Sequence, residues 1–453
     1  MKTHRTSRNR FASHLRIATA LALVAGSVVC AMIALPLSSN GSSTPGAHTQ
    51  AASGIQWQAL TTTVGGAEVL NTTLTVPHWF GSTLDPHNGI TYGYNIVGAD
   101  PNNCSGAGCD VTITVDIIPL NVTVAGESFN GTDVVAATLA SPIFTLNDYG
   151  SVPFATALGS FPNDPFLIQG PGGVLSQNDA GNLLQLQDAI QRAEFNKTGS
   201  SSYHLRFNPV VHDPVTIALP SGKSFVGLSP NGLEGAFTDL QWWSAQIQTL
   251  NGNLPYIDPT HLPLYLTKDV LLTSAHGSIC CFGGFHGAAN SKHGNGNQPV
   301  QTFAWASYAL PGGFDRPNGG TEWAAQDIHG VSHEVSEWAN DPFINNFVEP
   351  TLSVTQPAFS GCNNILETGD PVIGMGFAMG TNVYFQGPNP DGTQSADGYY
   401  HPEDEALFPW FLRLAPNNIS EPTQSPSTNV GRYTFMGNLN QFVEFQQPST
   451  GCP

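Results

Sequence analysis

Residues 321–342 read Thr321-Glu-Trp-Ala-Ala-Gln-Asp-Ile-His-Gly-Val-Ser-His-Glu-Val-Ser-Glu-Trp-Ala-Asn-Asp-Pro342, and this stretch predicts a single helix. Thr321 suits the N-cap position, and Pro342 ends the helix. A step of about 100° per residue separates two faces. The apolar face, expected against the core, holds Ala324, Ile328, Val331, Val335, Trp338 and Ala339. The opposite face carries few charges and indicates the wall of a site; it holds Gln326, His329, Gly330, His333, Glu337 and Asn340.

Within this helix, His333-Glu-Val-Ser-Glu337 is an H-E-x-x-E motif. Residues four apart on a helix project from one face with Cβ atoms about 5–6 Å apart, so we expect His333 and Glu337 to bind one metal ion. Glu334 is rotated by about 100° and is expected to act as the base on a metal-bound water. Zinc is the first choice, and the carboxylate ligand leaves other divalent metals as alternatives. A polar face that only hydrogen-bonds to loops is the non-functional alternative.

His329 offers a second register, because His329 and His333 are also four residues apart. One ion cannot reach all three residues, since eight residues span about 12 Å of helix and metal bonds are about 2 Å long. In the His329/His333 register Gly330 would stand where a base is needed. We therefore favour His333 with Glu337 and expect His329 to line the cleft, support the ligands or contact the substrate.

The segment Glu367-Thr-Gly-Asp370 lies about thirty residues beyond the helix, a distance that suits a returning loop. Glu367 is expected to be the third metal ligand, and Asp370 to support the ligands or exchange roles with it. His401 is a further candidate for a ligand or a transition-state donor. Three more histidines in or near a glycine-rich stretch predicted to be a loop are further candidates for the third ligand, although histidines in such loops are more often solvated: His276, His286 and His293.

The N-terminal 51 residues are expected to be an export signal and linker. Residues 1–16 are basic, residues 17–37 are apolar without a charge, and a Ser/Gly/Thr-rich stretch follows. This pattern is typical of a secretory signal, which predicts a secreted protein. Retention of residues 17–37 as a membrane anchor is the alternative.

The charge balance excludes some classes of partner. The chain has 14 Lys and Arg against 33 Asp and Glu, and the five basic residues of the N-terminal 51 would be lost on export. So acidic a protein is not expected to bind nucleic acid or an anionic membrane surface. Charged residues are only 10% of the sequence and Gly is abundant, which is typical of a secreted protein with long loops.

Six cysteines remain when Cys30 of the export signal is set aside, and an even number in an exported protein predicts disulfides. Cys104 and Cys109 flank a short loop that one bridge would close. The sequence does not decide the pairing of the other four, which are Cys280, Cys281, Cys362 and Cys452.

The order of predicted elements indicates an α+β fold. Residues 52–153 show short β-rich runs and predict a sandwich-like region, with strands at 64–76, 91–97, 111–118 and 134–139. Residues 154–453 are expected to form the domain that carries the motif helix. Its predicted elements are helices at 183–195 and 238–250 and strands at 203–207, 215–219, 225–228, 264–274 and 302–310.

Two segments of the chain, Ser332-His-Glu-Val-Ser-Glu-Trp-Ala-Asn-Asp-Pro342 and Glu367-Thr-Gly-Asp370, resemble a group of secreted bacterial proteins with an S-H-E-x-x-E-x-x-x-D-P signature. The signature is also similar to one in plant phosphate-induced (EXORDIUM-like) extracellular proteins. The likeness to the bacterial group covers roughly residues 151–411 and includes Trp242-Trp243, Cys280-Cys281-Phe-Gly-Gly-Phe-His286 and Gln301-Thr-Phe-Ala-Trp305. The resemblance implies a zincin-like metallopeptidase fold and gives no substrate.

Two functions follow as hypotheses. The first is a secreted, metal-dependent endopeptidase that acts on proteins or peptides, with residues 302–310 as an edge strand that aligns the substrate. The second is a non-catalytic extracellular or cell-wall-associated binding protein that contacts glycans and keeps a structural metal. Glu334 favours the first, because a structural site does not need a base.

Overall fold

The computed structural model describes residues 75–104, 109–148, 183–195, 203–228, 233–274, 279–290, 300–310, 326–351, 363–372, 376, 379–384, 399–414 and 435. The expected export signal at residues 1–51 lies outside them. Within these ranges no helix has the length and apolar character to cross a membrane. Cys104 and Cys109 form a disulfide with Cα atoms 5.4 Å apart, and Cys281 is disulfide-bonded as well.

The described residues form a strand-rich mixture of α and β structure with several sheets. The helices are α1 (Val135–Leu139), α2 (Leu186–Glu194), α3 (Leu240–Asn253), α4 (His329–Asn340) and α5 (Phe408–Phe411). The strands are β1 (His78–Leu84), β2 (Thr91–Val97), β3 (Asp110–Val124), β4 (Glu127–Asn130), β5 (Asn147–Asp148), β6 (Leu183–Leu184), β7 (His204–Val211), β8 (Val215–Ala218), β9 (Ser224–Leu228), β10 (Glu234–Asp239), β11 (Leu262–Lys268), β12 (Val270–Ser274), β13 (Ile279–Phe282), β14 (Gly284–Asn290), β15 (Val300–Tyr308), β16 (Phe347–Thr351) and β17 (Asn363–Ile365).

A seven-stranded mixed sheet is the largest of the described sheets, and β3 is its longest strand. The order β14-β15-β11-β3 runs from one edge, and β4, β7 and β8 also pair with β3. Strands β15, β11, β3 and β7 are parallel, whereas β14 runs antiparallel to β15. A second sheet has the order β13-β12-β10-β9. Strand β3 comes from the region 52–153 and β7, β11 and β15 from 154–453, so the boundary predicted at residue 153 divides one continuous sheet.

The seven-stranded sheet is covered on both faces, because alternate side chains of its strands enter two different cores. In β3, Ile113, Val115 and Ile117 pack with α2 and α4, whereas Ile118 and Leu120 pack with α3. Strands β11 and β15 divide their side chains in the same way. A strand buried on both faces reads as a nearly continuous apolar run, which explains the sequence Ile-Ile-Pro-Leu at its centre.

The motif helix is shorter than the sequence predicts. Helix α4 begins at His329, and the predicted N-cap Thr321 lies outside the described residues. Asp327 has a positive φ of 43° and exchanges backbone hydrogen bonds with Ala309, so the chain just before His329 cannot be helical. Every residue of α4 is buried, including the face predicted to be the wall of a site.

Three other predictions are wrong in instructive ways. Residues 302–310 are not an edge strand, because β15 lies between β14 and β11. Residues 134–139 are helical rather than extended. The single strand predicted at 264–274 is two strands, β11 and β12, because the positive φ of Asp269 (51°) turns the chain from one sheet into the other.

Asn346 fixes the C-terminal end of α4 to β2. Its Nδ2 donates to the carbonyl oxygens of Asn340 (2.6 Å) and Asn95 (2.7 Å), and its Oδ1 accepts from the backbone N–H of Asn95 (2.7 Å). The side chain is fully buried. These three bonds replace water for backbone groups that would otherwise be unpaired in the core.

We predict that Asn346→Ala lowers the free energy of unfolding by about 2–4 kcal/mol, because a buried backbone group left without a partner costs about 1–3 kcal/mol. Urea denaturation followed by circular dichroism measures the change. The matched control is Asn208→Ala at an exposed position of β7, which should change stability by less than about 0.5 kcal/mol. Equal stability of the two variants would contradict the assigned role.

Candidate metal centre

Helix α4 lies against the sheet over a row of small side chains. Val331 and Val335 share a core with Ala304 and Ala306 of β15 and with Ala288 of β14. Because protein interiors are close-packed, small side chains on the strands bring the helix close to them. Glu334 of the motif therefore lies directly against Gly284 of β14.

Strand alternation places His286 of β14 in the site. Gly284, His286 and Ala288 share the face toward α4, whereas Phe285 enters the core around α3. His286 is fully buried; its Nδ1 lies 3.4 Å from Glu334 Oε2. The expectation that His286 lies in a loop, where solvation is more common, is wrong, whereas its burial fits the alternative that it supplies a ligand. The alternation of small and large residues around it is the signal that favours a strand. His276 and His293 lie outside the described residues.

His333 is oriented by Glu403, a residue that the sequence analysis did not single out. His333 Nδ1 donates to Glu403 Oε2 at 2.8 Å, and His329 Nε2 lies 3.0 Å from the same oxygen. A histidine whose Nδ1 is held by a carboxylate presents Nε2 to a metal. Glu403 is itself fixed, because its backbone N–H donates to Ser332 Oγ at 2.9 Å. Its signal in the sequence is an acidic run after His401 in a chain with few charges.

Glu337 uses its two carboxylate oxygens differently. Oε1 accepts hydrogen bonds from the backbone N–H groups of Gly369 (3.1 Å) and Asp370 (3.2 Å). Oε2 lies 3.1 Å from His333 Nε2 and 3.7 Å from His286 Nδ1 but has no hydrogen-bond partner. One oxygen is therefore held by the backbone, and the other is available to a cation.

Among the described residues, potential metal ligands fall into two groups of three, and the donor atoms of each group lie within 4.8 Å of one another. The first contains His286, Glu337 and Glu367, and the second contains His333, Glu337 and Asp370. Glu367 Oε2 lies 3.7 Å from His286 Nε2. The structure therefore brings His333, Glu367 and Asp370 around Glu337 and adds His286 to them.

Glu334 belongs to neither group, although it touches both. Its Oε1 lies 3.8 Å from His333 Nε2, and its Oε2 lies 3.4 Å from His286 Nδ1.

A Cβ atom on Gly284 would overlap Glu334, and one on Gly369 would overlap the His333 ring. Glycine at these two positions is thus required for the backbone to approach the motif residues so closely.

The remaining predicted residues surround the two groups. His401 Nδ1 lies 2.7 Å from Asp327 Oδ2, and its backbone N–H donates to Asp327 Oδ1 at 2.9 Å. His401 is in neither donor group. His329 Nε2 lies 3.0 Å from Glu403 Oε2, and His329 belongs to neither donor group.

Burial dominates the electrostatics of the acidic residues. It raises the pKa of Glu334 and of Glu367 well above the usual carboxyl value, and the charges of Glu337 and Asp370 raise both further. Burial also acts to raise the pKa of Glu337, but His333, His286 and a hydrogen bond with Glu367 together outweigh it, and the pKa of Glu337 is lowered. Glu337 is thus the carboxyl group that the nearby histidines stabilise in its charged form, whereas Glu334 and Glu367 favour the protonated form.

The two histidines respond in opposite directions. Burial lowers the pKa of His286 to about 4, which keeps its imidazole neutral and able to bind a metal. Burial also acts to lower the pKa of His333, but the carboxylates of Glu337 and Glu403 raise it well above the usual value. In the absence of a cation, His333 therefore supplies the positive charge of the cluster.

The donor set fits a divalent metal ion. Five buried ligand atoms on four residues converge without a hydrogen-bond partner: His286 Nε2, His333 Nε2, Glu337 Oε2 and both oxygens of Glu367. Buried polar atoms normally have a partner, and bound metal would provide one for these atoms. Nitrogen with carboxylate oxygen is a ligand set that suits zinc and also manganese or cobalt.

We predict that metal removal destabilises the protein. Chelator-treated protein should unfold at a lower temperature than protein with Zn²⁺ added back, because an ion at about 100 times its Kd stabilises the folded state by about 2.7 kcal/mol. Differential scanning calorimetry with and without Zn²⁺ measures the shift. A melting temperature that does not depend on metal would contradict the presence of a site.

Glu403→Gln should weaken Zn²⁺ binding about 10- to 100-fold, because a neutral amide holds His333 less strongly than a carboxylate does. Titration calorimetry measures the affinity. The matched control is Glu349→Gln, which changes a carboxylate that pairs with His87 at 2.9 Å outside the site and should leave the affinity unchanged. Equal affinities of the two variants would rule out the orienting role of Glu403.

Comparison with known proteins does not identify the chain. No family model matches it, and no curated protein or solved structure matches it either. The chemistry of the centre is therefore inferred from its own side chains.

Proposed function

We propose that this protein is a metal-dependent hydrolase of the peptidase type, with Glu334 as the general base. The observation that carries the proposal is the position of Glu334. Its carboxylate lies within 3.8 Å of His333 Nε2 and within 3.4 Å of His286 Nδ1, yet it belongs to neither group of ligands. A carboxylate beside a metal but not on it is placed to act on a metal-bound water.

Each residue of the centre has a role in this chemistry. His333 and Glu337, with Glu367 or His286, would hold the ion. When bound, the ion supplies a water of lowered pKa and polarises the carbonyl group that is attacked. Glu334 accepts a proton at one carboxylate oxygen and returns it to the leaving amine. Glu403 keeps the His333 ring in its orientation throughout.

The sheet supports a peptide as the substrate. Within the described part of the chain, β14 is the outer strand next to β15, and it carries His286. An extended peptide can add to such a strand through main-chain hydrogen bonds and bring its carbonyl groups to the adjacent site. The α4 helix beside a mixed sheet with an antiparallel outer strand supports the zincin-like architecture implied by the motif. Zinc remains the first choice of metal, and secretion remains part of the proposal.

A second candidate is a non-catalytic extracellular protein with a structural metal. The burial of the centre favours it, because His286, His333 and Glu337 are 0% exposed and Glu334 and Glu367 are 1% exposed. Structural metal sites are closed, whereas catalytic sites keep an open position. Glu334 favours the hydrolase, since a closed structural site gains nothing from a buried carboxyl group that binds no metal.

We predict that Glu334→Gln lowers peptide hydrolysis about 10²–10⁴-fold while metal content and folding are retained. Gln has the size of Glu but cannot accept the proton. Casein and a peptide library at acidic and neutral pH measure the activity, and plasma mass spectrometry measures the metal.

The matched control for this variant is Glu349→Gln, which should keep full activity. If metal-loaded wild-type protein cleaves no substrate in the library, the structural-metal candidate replaces the hydrolase. If Glu334→Gln hydrolyses peptides as fast as wild type, Glu334 is not the base.

A further inference from the structure

The two groups of ligands share one residue, Glu337, and its Oε2 is the oxygen that both imidazoles approach. His333 Nε2 approaches this oxygen at 3.1 Å, and His286 Nδ1 approaches it at 3.7 Å. The other oxygen of Glu337 is occupied by two backbone N–H groups. Glu337 therefore stands between two imidazoles and offers the same oxygen to both sides.

A single ion is a poor match for so many donors. Zinc holds its ligands at about 2.0–2.2 Å, so the ligand atoms of one ion lie at most about 4.4 Å apart. His286 and Glu367 form one compact group with Glu337, and His333 and Asp370 form another with it. Each group by itself has the size and composition of a three-residue metal site.

The charges of the cluster lead to the same conclusion. Five of the described carboxyl groups lie beside the two imidazoles, and four of them, those of Glu334, Glu337, Glu367 and Glu403, are at most 1% exposed. The fifth, Asp370, is half-buried. Uncompensated charge inside a protein is costly, and one divalent ion compensates only two of five carboxylates. A second divalent ion compensates two more.

We propose that the centre binds two divalent metal ions bridged by Glu337, one with His333 and Asp370 and the other with His286 and Glu367. The inference rests on the proposed function, because both ions occupy the centre assigned there. A pair of metal ions held by carboxylate and histidine ligands would serve hydrolysis by lowering the pKa of the attacking water and by polarising the carbonyl group that is attacked. Transition-metal ions such as Zn²⁺, Mn²⁺ and Co²⁺ suit the mixed nitrogen and oxygen ligands.

The first test counts ions. Full-length protein is stripped with a chelator, titrated with Zn²⁺ and analysed by calorimetry and plasma mass spectrometry. Wild-type protein should bind two ions per chain. His286→Ala and His333→Ala should each bind one, and Glu337→Ala should bind neither ion tightly. The matched control is His204→Ala, which removes a histidine paired with Asp188 at 2.7 Å outside the centre and should bind two.

A second measurement uses the wild-type protein alone and does not depend on the folding of the variants. Mn²⁺ is added to chelator-treated protein, and the electron paramagnetic resonance spectrum is recorded at one and two equivalents. Two ions bridged by one carboxylate should give the multiline spectrum of a spin-coupled pair at two equivalents. An isolated six-line Mn²⁺ spectrum at every ratio would overturn the proposal.

The outcomes separate this inference from the proposed function. One Zn²⁺ per chain, lost in His333→Ala but kept in His286→Ala, would overturn the second ion and leave a mononuclear hydrolase. Two Zn²⁺ without any peptide hydrolysis would support the paired site and reject the hydrolase. Binding of no Zn²⁺ by the wild-type protein would reject both.

Discussion

The structure depends on the burial of negative charge beside helix α4. Glu334, Glu337 and Glu367 are at most 1% exposed to solvent. The described ion pairs of these three residues are all with histidines. Isolated charges of this kind destabilise a protein strongly, so the cluster requires either protons or metal ions. The raised pKa values of Glu334 and Glu367 favour protonation of these two groups. The convergence of ligand atoms without hydrogen-bond partners favours a metal ion.

Regular secondary structure holds the two histidine ligands of the cluster in fixed positions. A helix and a strand are more precise supports than loops, and His333 and His286 are carried by α4 and β14. The backbone then approaches through Gly284 and Gly369, where any larger residue would overlap the site. Asn346 fixes the end of the helix by bonding three backbone groups. The ligands are thus held before any ion arrives.

Hydrogen bonds decide which atoms remain available for chemistry. Glu403 accepts a hydrogen bond from His333 Nδ1–H, which leaves Nε2 available to a metal. The backbone N–H groups of residues 369 and 370 donate to Glu337 Oε1, which leaves Oε2 available. Glu334 has no such anchor among the described contacts beyond its approach to His286. A carboxyl group that is buried, close to the ligands and weakly bound suits the transfer of a proton.

The sequence by itself determined the parts of the centre that are local. The i, i+4 spacing of His333 and Glu337 puts them on one helix face wherever the helix is placed, and the Cys104–Cys109 bridge closes a loop of a few residues. Glu367 was inferred from distance along the chain, and its contact with His286 required the fold. The mixed α and β composition also followed from the local patterns.

Only the tertiary structure decided which distant segments complete the centre. A glycine-rich stretch became strand β14 because it pairs with β15, and this pairing brought His286 into the core and moved the outer edge of the sheet from β15 to β14. Glu403 reaches His333 from 70 residues away. The start of α4 at His329 likewise depends on the bridge between Asp327 and Ala309. Periodicity reports the faces of one element, whereas strand pairing and long-range contacts are set by the packing of the whole chain.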